Sequence, residues 1–403
     1  MSKSCARMPS RPTSRAANGQ AAGCTPIETH MLVLTVNGGS SSVKLAAYRS
    51  DDPASRTAPV RAAVEHLTGK PDPRETLLAF MRKLGPADLT AVAHRIVHGG
   101  TRFVAPVAID ADVEAALHEL SELAPLHNPL ALAWVDAARE VCGAQVPQIA
   151  VFDTAFFAGL PRHASEYALP ASAGATLGVR RYGFHGLAHG ALWQRWCELN
   201  PERVQGGRII TLQLGSGCSM AAIDRGRPIE TTMGFSPLEG LVMATRSGDV
   251  DPAAVAYLAH KLDSSPDRVV EIMNHDSGLL GVSGLSGDVR VLLAASSDSA
   301  QFAVELYCYR ARKSIGAFLA ALGGCEGIVF GGGVGEHSPE IRERILAPLA
   351  WAGIELDPTA NAAARGAEAC ISSPRSTIKV QVVPVDEERA LARAALTVAP
   401  QRR

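Results

Sequence analysis

Three apolar runs that each end on a glycine-rich turn constrain the fold of this chain more than any other feature. In the first, residues 31–44, the run MLVLTV is followed by Asn37, Gly38 and Gly39, three serines and Lys44. This order predicts a strand, a tight turn and a second strand. Glycine carries no Cβ, so the backbone of such a turn can approach a ligand closely. Its N–H groups and hydroxyls suit phosphate, although one isolated hairpin of this kind is more often a simple turn.

The same design occurs twice more along the chain. Residues 209–223 repeat the order of apolar run, Gly-Ser-Gly turn and apolar run, and residues 328–337 end a third run on three glycines before a helical pattern. Three such turns in both halves favour a nucleotide cleft between two related domains. The Gly-x-Gly-x-x-Gly spacing fails at Gly215 and Gly331, and Gly-Lys-Ser/Thr, Gly-x-Ser-x-Gly and His-Glu-x-x-His do not occur. Phosphate contacts are therefore expected from the hairpins.

Composition limits the class of protein. The 403 residues are 47% hydrophobic and 20% charged, which is enough for two packed domains. A net charge of −1 provides no basic field for nucleic acid or anionic lipid, and no apolar run approaches the ~20 residues of a membrane span. The eight cysteines lack any Cys-x-x-Cys, which favours free thiols in a reducing compartment. We expect a cytoplasmic protein that binds neither nucleic acid nor membrane.

Residues 1–30 differ from the rest of the sequence. They contain arginines, prolines and small polar residues but no apolar stretch, which excludes a secretory signal. An organelle transit peptide and a disordered extension remain as interpretations, and the composition favours the disordered extension. Met31 begins the first strand directly and is the expected biological start.

Periodicity beyond the turns predicts alternating strands and helices. Helices are expected over residues 110–123, 129–141, 185–199, 311–322, 339–351 and 386–398, and strands over 145–152 and 380–385. This alternation indicates α/β layers.

Several charged residues lie within or next to apolar strands and glycine turns, where a charged side chain is unfavourable. They are Arg95, Asp153, Arg180, Arg181, His185, Arg246 and Glu387. A single residue of this kind is more often structural than catalytic, but their association with phosphate-type turns favours a functional cluster. Asp249 and Asp251 have the spacing of a metal pair, and the loop-cap interpretation is favoured for them.

Nine motifs, in this order along the chain, resemble the acetokinase family within the superfamily of actin, hexokinase and the heat-shock chaperones. They are VNGGSSSVK (36–44), HRIVHGG (94–100), LAPLHNP (123–129), VFDTAF (151–156), RRYGFHG (180–186), MGFSPLEG (233–240), TRSGDVDP (245–252), GLLGVSG (278–284) and GVGE (333–336). The resemblance implies two actin/hexokinase-like (ribonuclease H-like) domains flanking a nucleotide cleft. Domain I would comprise residues 31–154 and 387–403, and domain II, residues 155–386, would bind the nucleotide and form a homodimer.

The resemblance also implies a reaction, ATP + acetate ⇌ ADP + acetyl phosphate, with Mg²⁺ or Mn²⁺, and it implies a role for each matching residue. The catalytic residues would be Asn37, Arg95, Asp153, His185 and Arg246. Acetate would contact Arg95, Val97, Leu126, His127, Phe184 and Pro237. The nucleotide would contact Ser40, Ser42, Lys44, Gln213, Gly215, Ser216, Gly217, Asp288, Val289, Arg290, Gly331, Gly332, Gly333, Val334 and Gly335. Asn37 and Glu387 would hold the metal, with Asp153 close to it.

Departures from the family pattern leave alternatives open. Gln213-Leu-Gly-Ser-Gly217 replaces His-Leu-Gly-Asn-Gly, and Val289 replaces a phenylalanine, so ATP and GTP both remain candidates. Propionate or butyrate kinase is the rival within the family, because one methylene discriminates by only ~1–3 kcal/mol. The rival from another class is a non-catalytic nucleotide-dependent clamp. Such a clamp would not need Arg95, Arg246 and His185 at a γ-phosphate.

Overall fold

The computed structural model describes residues 31–39, 42–50, 59–66, 72–125 and 127–399. The expected N-terminal extension, residues 1–30, lies outside these ranges, and so do Ser40 and Leu126. The helices in the described ranges include none that is both long and apolar enough to cross a membrane.

Strands and helices alternate through most of the described chain. The strands are β1 (Met31–Gly38), β2 (Ser42–Arg49), β3 (Arg61–His66), β4 (Asp88–Ile96), β5 (Val107–Ala108), β6 (Gln148–Phe152), β7 (Arg208–Leu214), β8 (Cys218–Asp224), β9 (Arg227–Thr231), β10 (Gly327–Gly331), β11 (Ala369–Cys370) and β12 (Lys379–Val382). The α-helices are α1 (Pro73–Leu84), α2 (Ala111–Glu119), α3 (Asn128–Cys142), α4 (Arg162–Ser165), α5 (Gly186–Leu199), α6 (Pro252–Lys261), α7 (Pro266–His275), α8 (Gly278–Ser283), α9 (Val289–Ala294), α10 (Asp298–Leu322), α11 (Gly332–His337), α12 (Pro339–Leu346), α13 (Pro358–Ala363) and α14 (Glu387–Leu396).

Two six-stranded sheets share one topology. Their strand orders are β3-β2-β1-β4-β6-β5 and β9-β8-β7-β10-β12-β11. In each sheet the first three strands in sequence form an antiparallel meander, and two later strands add parallel to the first strand. The α/β prediction and the prediction of two related units are therefore confirmed.

Helices cover both faces of each sheet. In the first sheet, α1 and α3 pack on one face around Trp134, and α14 packs on the other through Leu391, Ala392 and Ala395. In the second sheet, α10 and α12 cover one face, and α5 covers the other through Leu192 and Trp196. The C-terminal helix thus returns to the sheet that contains the first strand of the chain.

Several element boundaries differ from the sequence predictions for local reasons. The helix expected from residue 311 begins at Asp298, because the Ser297 side chain accepts a hydrogen bond from the Ala300 N–H and starts the helix there. The helix expected to run to residue 351 ends at Leu346 and continues as a 3₁₀ turn that contains Pro348. Strand β6 begins only after Pro147, at Gln148.

The loop-cap interpretation of Asp249 and Asp251 is confirmed. Asp251 accepts from the Ala253 N–H at the start of α6, and Asp249 accepts from the Gly240 N–H at 2.8 Å.

Candidate active site

A cavity of about 210 Å³ lies where the edges of the two sheets face each other. Most of the predicted site residues line it. Its lining comprises Asn37, Gly38, Gly39, Ser42, Lys44, Arg95, Val97, His127, Asp153, Phe184, His185, Gln213, Gly215, Ser216, Gly217, Pro237, Arg246 and Glu387. Side chains from positions as distant as 37 and 387 therefore meet at one site.

Strand topology explains why three polar residues of the first half converge. Asn37, Arg95 and Asp153 lie at the carboxyl ends of β1, β4 and β6, which are parallel neighbours. The carboxyl ends of parallel strands meet at one edge of a sheet and form the usual ligand crevice of such folds. The β7–β8 hairpin, Gly215 to Gly217, supplies the corresponding edge of the second sheet.

Most of the N–H donors of Arg95 form hydrogen bonds within the protein. Its Nε donates to both Asp153 oxygens at 3.1 Å, and its Nη2 donates to Asp153 Oδ2 at 2.5 Å. Its Nη1 donates to Asn37 Oδ1 at 3.3 Å and to the Gly38 carbonyl at 3.2 Å. A guanidinium has five N–H donors, so one N–H on Nη2 remains for a ligand. Asp153 is a rigid anchor for this arginine.

Asn37 links Arg95 to the first turn of α14. Its Nδ2 donates to Glu387 Oε2 and to Glu388 Oε1, both at 2.9 Å. Lys44, which pairs with Asn37 across the β1–β2 hairpin, lies 3.5 Å from Glu388 Oε1. Glu388, which lies in none of the nine motifs, therefore orients two of the predicted site residues.

The charges in this cluster stabilise one another. Burial alone would lower the pKa of Arg95, but Asp153 and Glu387 raise that pKa, so the guanidinium stays charged. Burial raises the pKa of Asp153 against the opposing pull of Arg95. Burial also acts to raise the pKa of Glu387, yet Arg95 and the hydrogen bond from Asn37 outweigh it and leave that pKa below its ordinary value. Glu387 is therefore ionised at neutral pH.

Arg246 is the complement of Arg95, because most of its donors are not engaged by the protein. Its Nη1 donates to the Pro237 carbonyl at 3.1 Å, and no described carboxylate forms an ion pair with it. Burial lowers the pKa of Arg246, and the like charge of Arg95 lowers it further. A half-buried guanidinium with free N–H groups is a binding site for an anionic ligand.

His185 faces Arg246 across Gly217. A Cβ placed on Gly217 would lie 3.4 Å from His185 Nε2 and 3.6 Å from Arg246 Nη1, so this glycine keeps the space between the two donors open. Burial, together with Arg95 and Arg246, lowers the pKa of His185 to about 3. The imidazole is neutral at physiological pH and can donate only one hydrogen bond into the cavity.

The glycines of the RRYGFHG motif explain the position of His185. Gly183 has φ +76°, and a Cβ there would meet the Phe157 ring at 2.5 Å. A Cβ on Gly186 would lie 2.0 Å from the Asp153 carbonyl oxygen. His185 itself has φ 59°, in the left-handed region, at the N-terminus of α5. The motif thus packs against the segment after β6, which places His185 at the cavity that Asp153 and Arg95 also line.

Part of the cavity lining is apolar. Val97, Phe184 and Pro237 form this part, and the Val97 and Phe184 side chains are buried. His127 lies beside them, where burial and the nearby Arg246 lower its pKa to about 4. The combination of a small apolar wall and neighbouring cations suits a short-chain carboxylate.

The residues predicted for the adenosine side do not line this cavity. Asp288 accepts from the Arg290 N–H at 2.8 Å at the start of α9, Arg290 pairs with Asp288, and Val289 is buried in the core of the second sheet. The stretch from Gly331 to Gly335 ends β10 and enters α11, and a Cβ on Gly332 would lie 2.6 Å from the Leu214 carbonyl. This glycine loop therefore packs directly behind the β7–β8 hairpin.

A buried network behind His185 was not found from the sequence. His185 Nδ1 and His189 Nε2 each lie 2.8 Å from Ser219 Oγ, and His189 Nδ1 lies 2.7 Å from Thr211 Oγ1. The spacing of His185 and His189, four residues apart in the helix that the sequence predicts over 185–199, was the available signal. Ser219 and Thr211 gave none, because each lies within an ordinary apolar strand.

Paired six-stranded sheets, with cations and glycine hairpins around a cleft between them, define a phosphotransferase of two related α/β units. The family model described as the Acetokinase family matches residues 74–393, and the chain belongs to this family. It is 44% identical over 344 residues to an acetate kinase of Solibacter usitatus, covering 84% of this chain and 83% of that protein. It is 38% identical over 396 residues to an acetate kinase of Geobacillus kaustophilus, covering 91% and 99%.

Solved structures agree with this assignment. The crystal structure of a Porphyromonas gingivalis acetate kinase matches with a TM-score of 0.82 at 36% identity, covering 91% of this chain and 99% of that chain. A propionate kinase from Francisella tularensis also matches with a TM-score of 0.82, at 30% identity, covering 91% and 100%.

Proposed function

We propose that this chain transfers the γ-phosphoryl group of ATP to acetate and forms acetyl phosphate and ADP. The observation that carries the proposal is the meeting of Arg95, Arg246 and neutral His185 between glycine hairpins and a small apolar wall. The hairpins suit the phosphates of the nucleotide, and the wall of Val97, Phe184 and Pro237 suits the methyl group of acetate.

Acetate needs no general base in this reaction. Its carboxyl group resembles a side-chain carboxyl, with a pKa of about 4–5, so it is already ionised at pH 7. An acetate oxygen forms a bond to the γ-phosphorus while the bond from that phosphorus to the β–γ bridging oxygen breaks, and ADP leaves. The obstacle is repulsion between two anions, which costs about 4 kcal/mol for unit charges 4 Å apart at an effective dielectric constant of 20.

Arg246, Arg95 and the neutral His185 reduce this repulsion in different ways, according to their contacts. Arg246, with free donors, binds the incoming carboxylate and the phosphoryl oxygens. Arg95, held by Asp153 and Asn37, supplies fixed positive charge and one N–H without reorganising during the reaction. His185 donates from Nε2 to the phosphoryl oxygens, where negative charge develops in the transition state.

Residues near Asn37 fit a divalent cation. Mg²⁺ usually takes one or two carboxylates together with phosphate oxygens and water. Glu387 offers an ionised carboxylate at the cavity and accepts a hydrogen bond from Asn37 Nδ2 at 2.9 Å. Asn37 Oδ1 accepts one hydrogen bond, from Arg95, and keeps a second lone pair, whereas both Asp153 oxygens accept from Arg95 and one of them accepts twice. We propose Glu387 and Asn37 as the protein ligands of Mg²⁺, or of Mn²⁺. A metal held by these two residues would supply positive charge that offsets the charge of the nucleotide phosphates.

The adenosine side and the domain organisation complete the proposal. Asp288, Val289, Arg290 and the stretch from Gly331 to Gly335 would contact the nucleoside beyond the β7–β8 hairpin. Domain I would comprise residues 31–154 and 387–403, which the packing of α14 on the first sheet supports. Domain II, residues 155–386, would carry the nucleotide site and a homodimer interface, and the enzyme would act in the cytoplasm. Closure of the cleft would exclude water as a competing acceptor.

Propionate is the alternative acceptor within this proposal. The likeness to a propionate kinase structure favours testing it. One extra methylene changes binding by only ~1–3 kcal/mol in an apolar pocket, so the side chains lining the wall set a preference and not an absolute limit.

Trapping of the acyl phosphate with hydroxylamine tests the proposal. Acetate, propionate and butyrate are each assayed with ATP and with GTP, and we expect the largest hydroxamate yield from acetate and ATP. Arg246→Ala should lower that yield at least a hundredfold, whereas Arg268→Ala, which removes an exposed arginine of α7, should leave it unchanged. Formation of no hydroxamate from any carboxylate would overturn the proposed function.

A further inference from the structure

The network behind His185 consists of four buried or half-buried groups in a single row. Thr211 on β7, His189 on α5 and Ser219 on β8 are each fully buried, and His185 stands between Ser219 and the cavity. The three distances along the row are 2.7, 2.8 and 2.8 Å, all within normal hydrogen-bond range. Each hydroxyl brings one proton, and each neutral imidazole brings one N–H and one acceptor nitrogen.

Protons can be placed along this row in two consistent directions. In one, the Thr211 hydroxyl donates to His189 Nδ1, His189 Nε2–H donates to Ser219 Oγ, and the Ser219 hydroxyl donates to His185 Nδ1. In the other, every bond is reversed, and His189 Nδ1–H donates to Thr211 Oγ1. The Ser219 hydroxyl has no other partner among the described residues, so it couples the tautomers of the two histidines.

Thr211 decides between the two directions. Within the described part of the chain, its hydroxyl has His189 Nδ1 as its only hydrogen-bond partner. In the reversed direction the Thr211 proton would be buried without an acceptor. In the forward direction every proton in the row is donated, and only spare oxygen lone pairs remain unused. Buried orphaned donors are rarer in proteins than under-used acceptors, so the forward direction is the more stable one.

We infer that Thr211, His189 and Ser219 form a one-way relay that fixes His185 as the Nε2–H tautomer. His185 Nδ1 then accepts from Ser219, and Nε2–H points toward the gap beside Gly217 that it shares with Arg246. His185 is thereby a permanent donor and cannot act as a proton acceptor toward the cavity. Thr211, His189 and Ser219 are positioning residues, because they act only through His185.

The catalytic consequence rests on the proposed function, whereas the tautomer itself does not. A donor suits developing charge on phosphoryl oxygens, and the reversed tautomer would aim a lone pair at them. We therefore expect kcat to be proportional to the fraction of molecules in which His185 has the correct tautomer. Binding of acetate and ATP should be little affected.

The direct test is ¹⁵N NMR of the full chain labelled at histidine, with the His185 signals assigned by their loss in His185→Gln. We expect Nε2 to show the shift of a protonated nitrogen and Nδ1 that of an unprotonated one between pH 6 and 8. The opposite assignment would overturn the inference. This measurement needs no substrate, so it is independent of the hydroxamate assay, and a negative hydroxamate assay would overturn the proposed function alone.

Substitutions of Thr211 test the end of the relay that lies farthest from the cavity. Thr211→Val keeps the side-chain shape and removes the hydroxyl, so we expect mixed tautomers at His185 and a kcat lowered about two- to fivefold with unchanged KM. Thr211→Ser keeps the hydroxyl and should retain the wild-type tautomer and kcat. Thr35→Val removes an equally buried hydroxyl from β1, where it donates to the Ala46 carbonyl, and should not alter His185. An unchanged tautomer in Thr211→Val would overturn the relay.

Ser219→Ala removes the link next to His185 and serves if Thr211→Val does not fold. We expect mixed tautomers and a kcat lowered about tenfold, with KM for ATP and acetate within twofold of wild type. A His185 that stays entirely Nε2–H without Ser219 would show that the relay does not set its tautomer.

Discussion

Gly217→Ala perturbs the gap between His185 and Arg246 with the smallest possible change. The new methyl carbon would lie 3.4 Å from His185 Nε2 and 3.6 Å from Arg246 Nη1. A phosphoryl oxygen bound by these donors must lie about 2.7–3.1 Å from them, so methyl and oxygen compete for one volume. Gly217 has no positive φ and the nearest atoms are side-chain ends, so we expect the variant to fold normally.

The expected loss of activity follows from the hydrogen bonds to the phosphoryl oxygen that the methyl group prevents. Loss of one preorganised donor to a developing oxyanion typically lowers kcat about 10²–10³-fold, or about 2.7–4 kcal/mol in the barrier. Gly217→Ala should therefore lower kcat in the acetate and ATP assay at least a hundredfold, with little change in Tm.

The matched control is Gly316→Ala. A Cβ on Gly316, within α10, would meet no atom within 4 Å, so this alanine should leave kcat unchanged and stabilise the helix by up to about 1 kcal/mol. If Gly217→Ala folds and retains kcat within threefold of wild type, the gap is not where the phosphoryl group lies.

The remaining predictions concern specificity, pH and the glycine loop. Val97→Ala should widen the apolar wall and raise kcat/KM for propionate relative to acetate about threefold or more; an unchanged ratio would remove Val97 from the acyl pocket. Burial holds the pKa of five histidines at about 4 or about 3, well below the value of about 6.5 expected in the unfolded chain: His94, His98, His127, His185 and His189. Below about pH 6.5 the unfolded chain therefore binds protons that the folded chain does not, and Tm should fall steadily from pH 7 to pH 5. A Tm that is constant over that range would contradict the buried neutral state. Arg342 is fully buried and donates to the carbonyls of Gly335, Glu336, Asn361 and Ala364, so Arg342→Met should destabilise the fold by at least about 3 kcal/mol in urea unfolding. Loss of less than 1 kcal/mol would show that these carbonyls find other donors.

The contrast between Arg95 and Arg246 refines the role expected for arginines at such a site. Both line the cavity, as the motifs predict, but Arg246 keeps most of its N–H donors for a ligand and Arg95 keeps only one. Arg95 is committed to Asp153, Asn37 and Gly38 through most of its N–H groups. Arg246 is therefore available to bind a ligand, whereas Arg95 provides a positive charge in a fixed position.

Glu336 shows how the glycine loop is connected to the catalytic cluster. Its Oε1 accepts from the Gly332 N–H at 2.9 Å and from the Val385 N–H at 3.1 Å. Val385 lies two residues before Glu387, so one carboxylate ties the loop after β10 to the segment that positions the proposed metal ligand.

The local features of this chain could be predicted from its sequence. Strands that end on glycine turns, the cap of α6 by Asp251 and the order of the motifs depend on backbone propensity and on neighbours within a few positions. These features predicted two related α/β units, and the family resemblance carried by the motifs implied most of the residues that line the cavity. The start of α10 was missed because Ser297, its cap, lies among serines that each could have begun a helix.

Pairings across long separations were decided only by the tertiary structure. Arg95 and Asp153 are 58 residues apart and Asn37 and Glu387 are 350 apart, and no periodicity indicates that they meet. The commitment of Arg95, the recruitment of Glu388 and the buried row from Thr211 to His185 all depend on which strands become neighbours. Sheet order places these groups within hydrogen-bond distance, and hydrogen bonds are too short-ranged to be inferred from residue type alone.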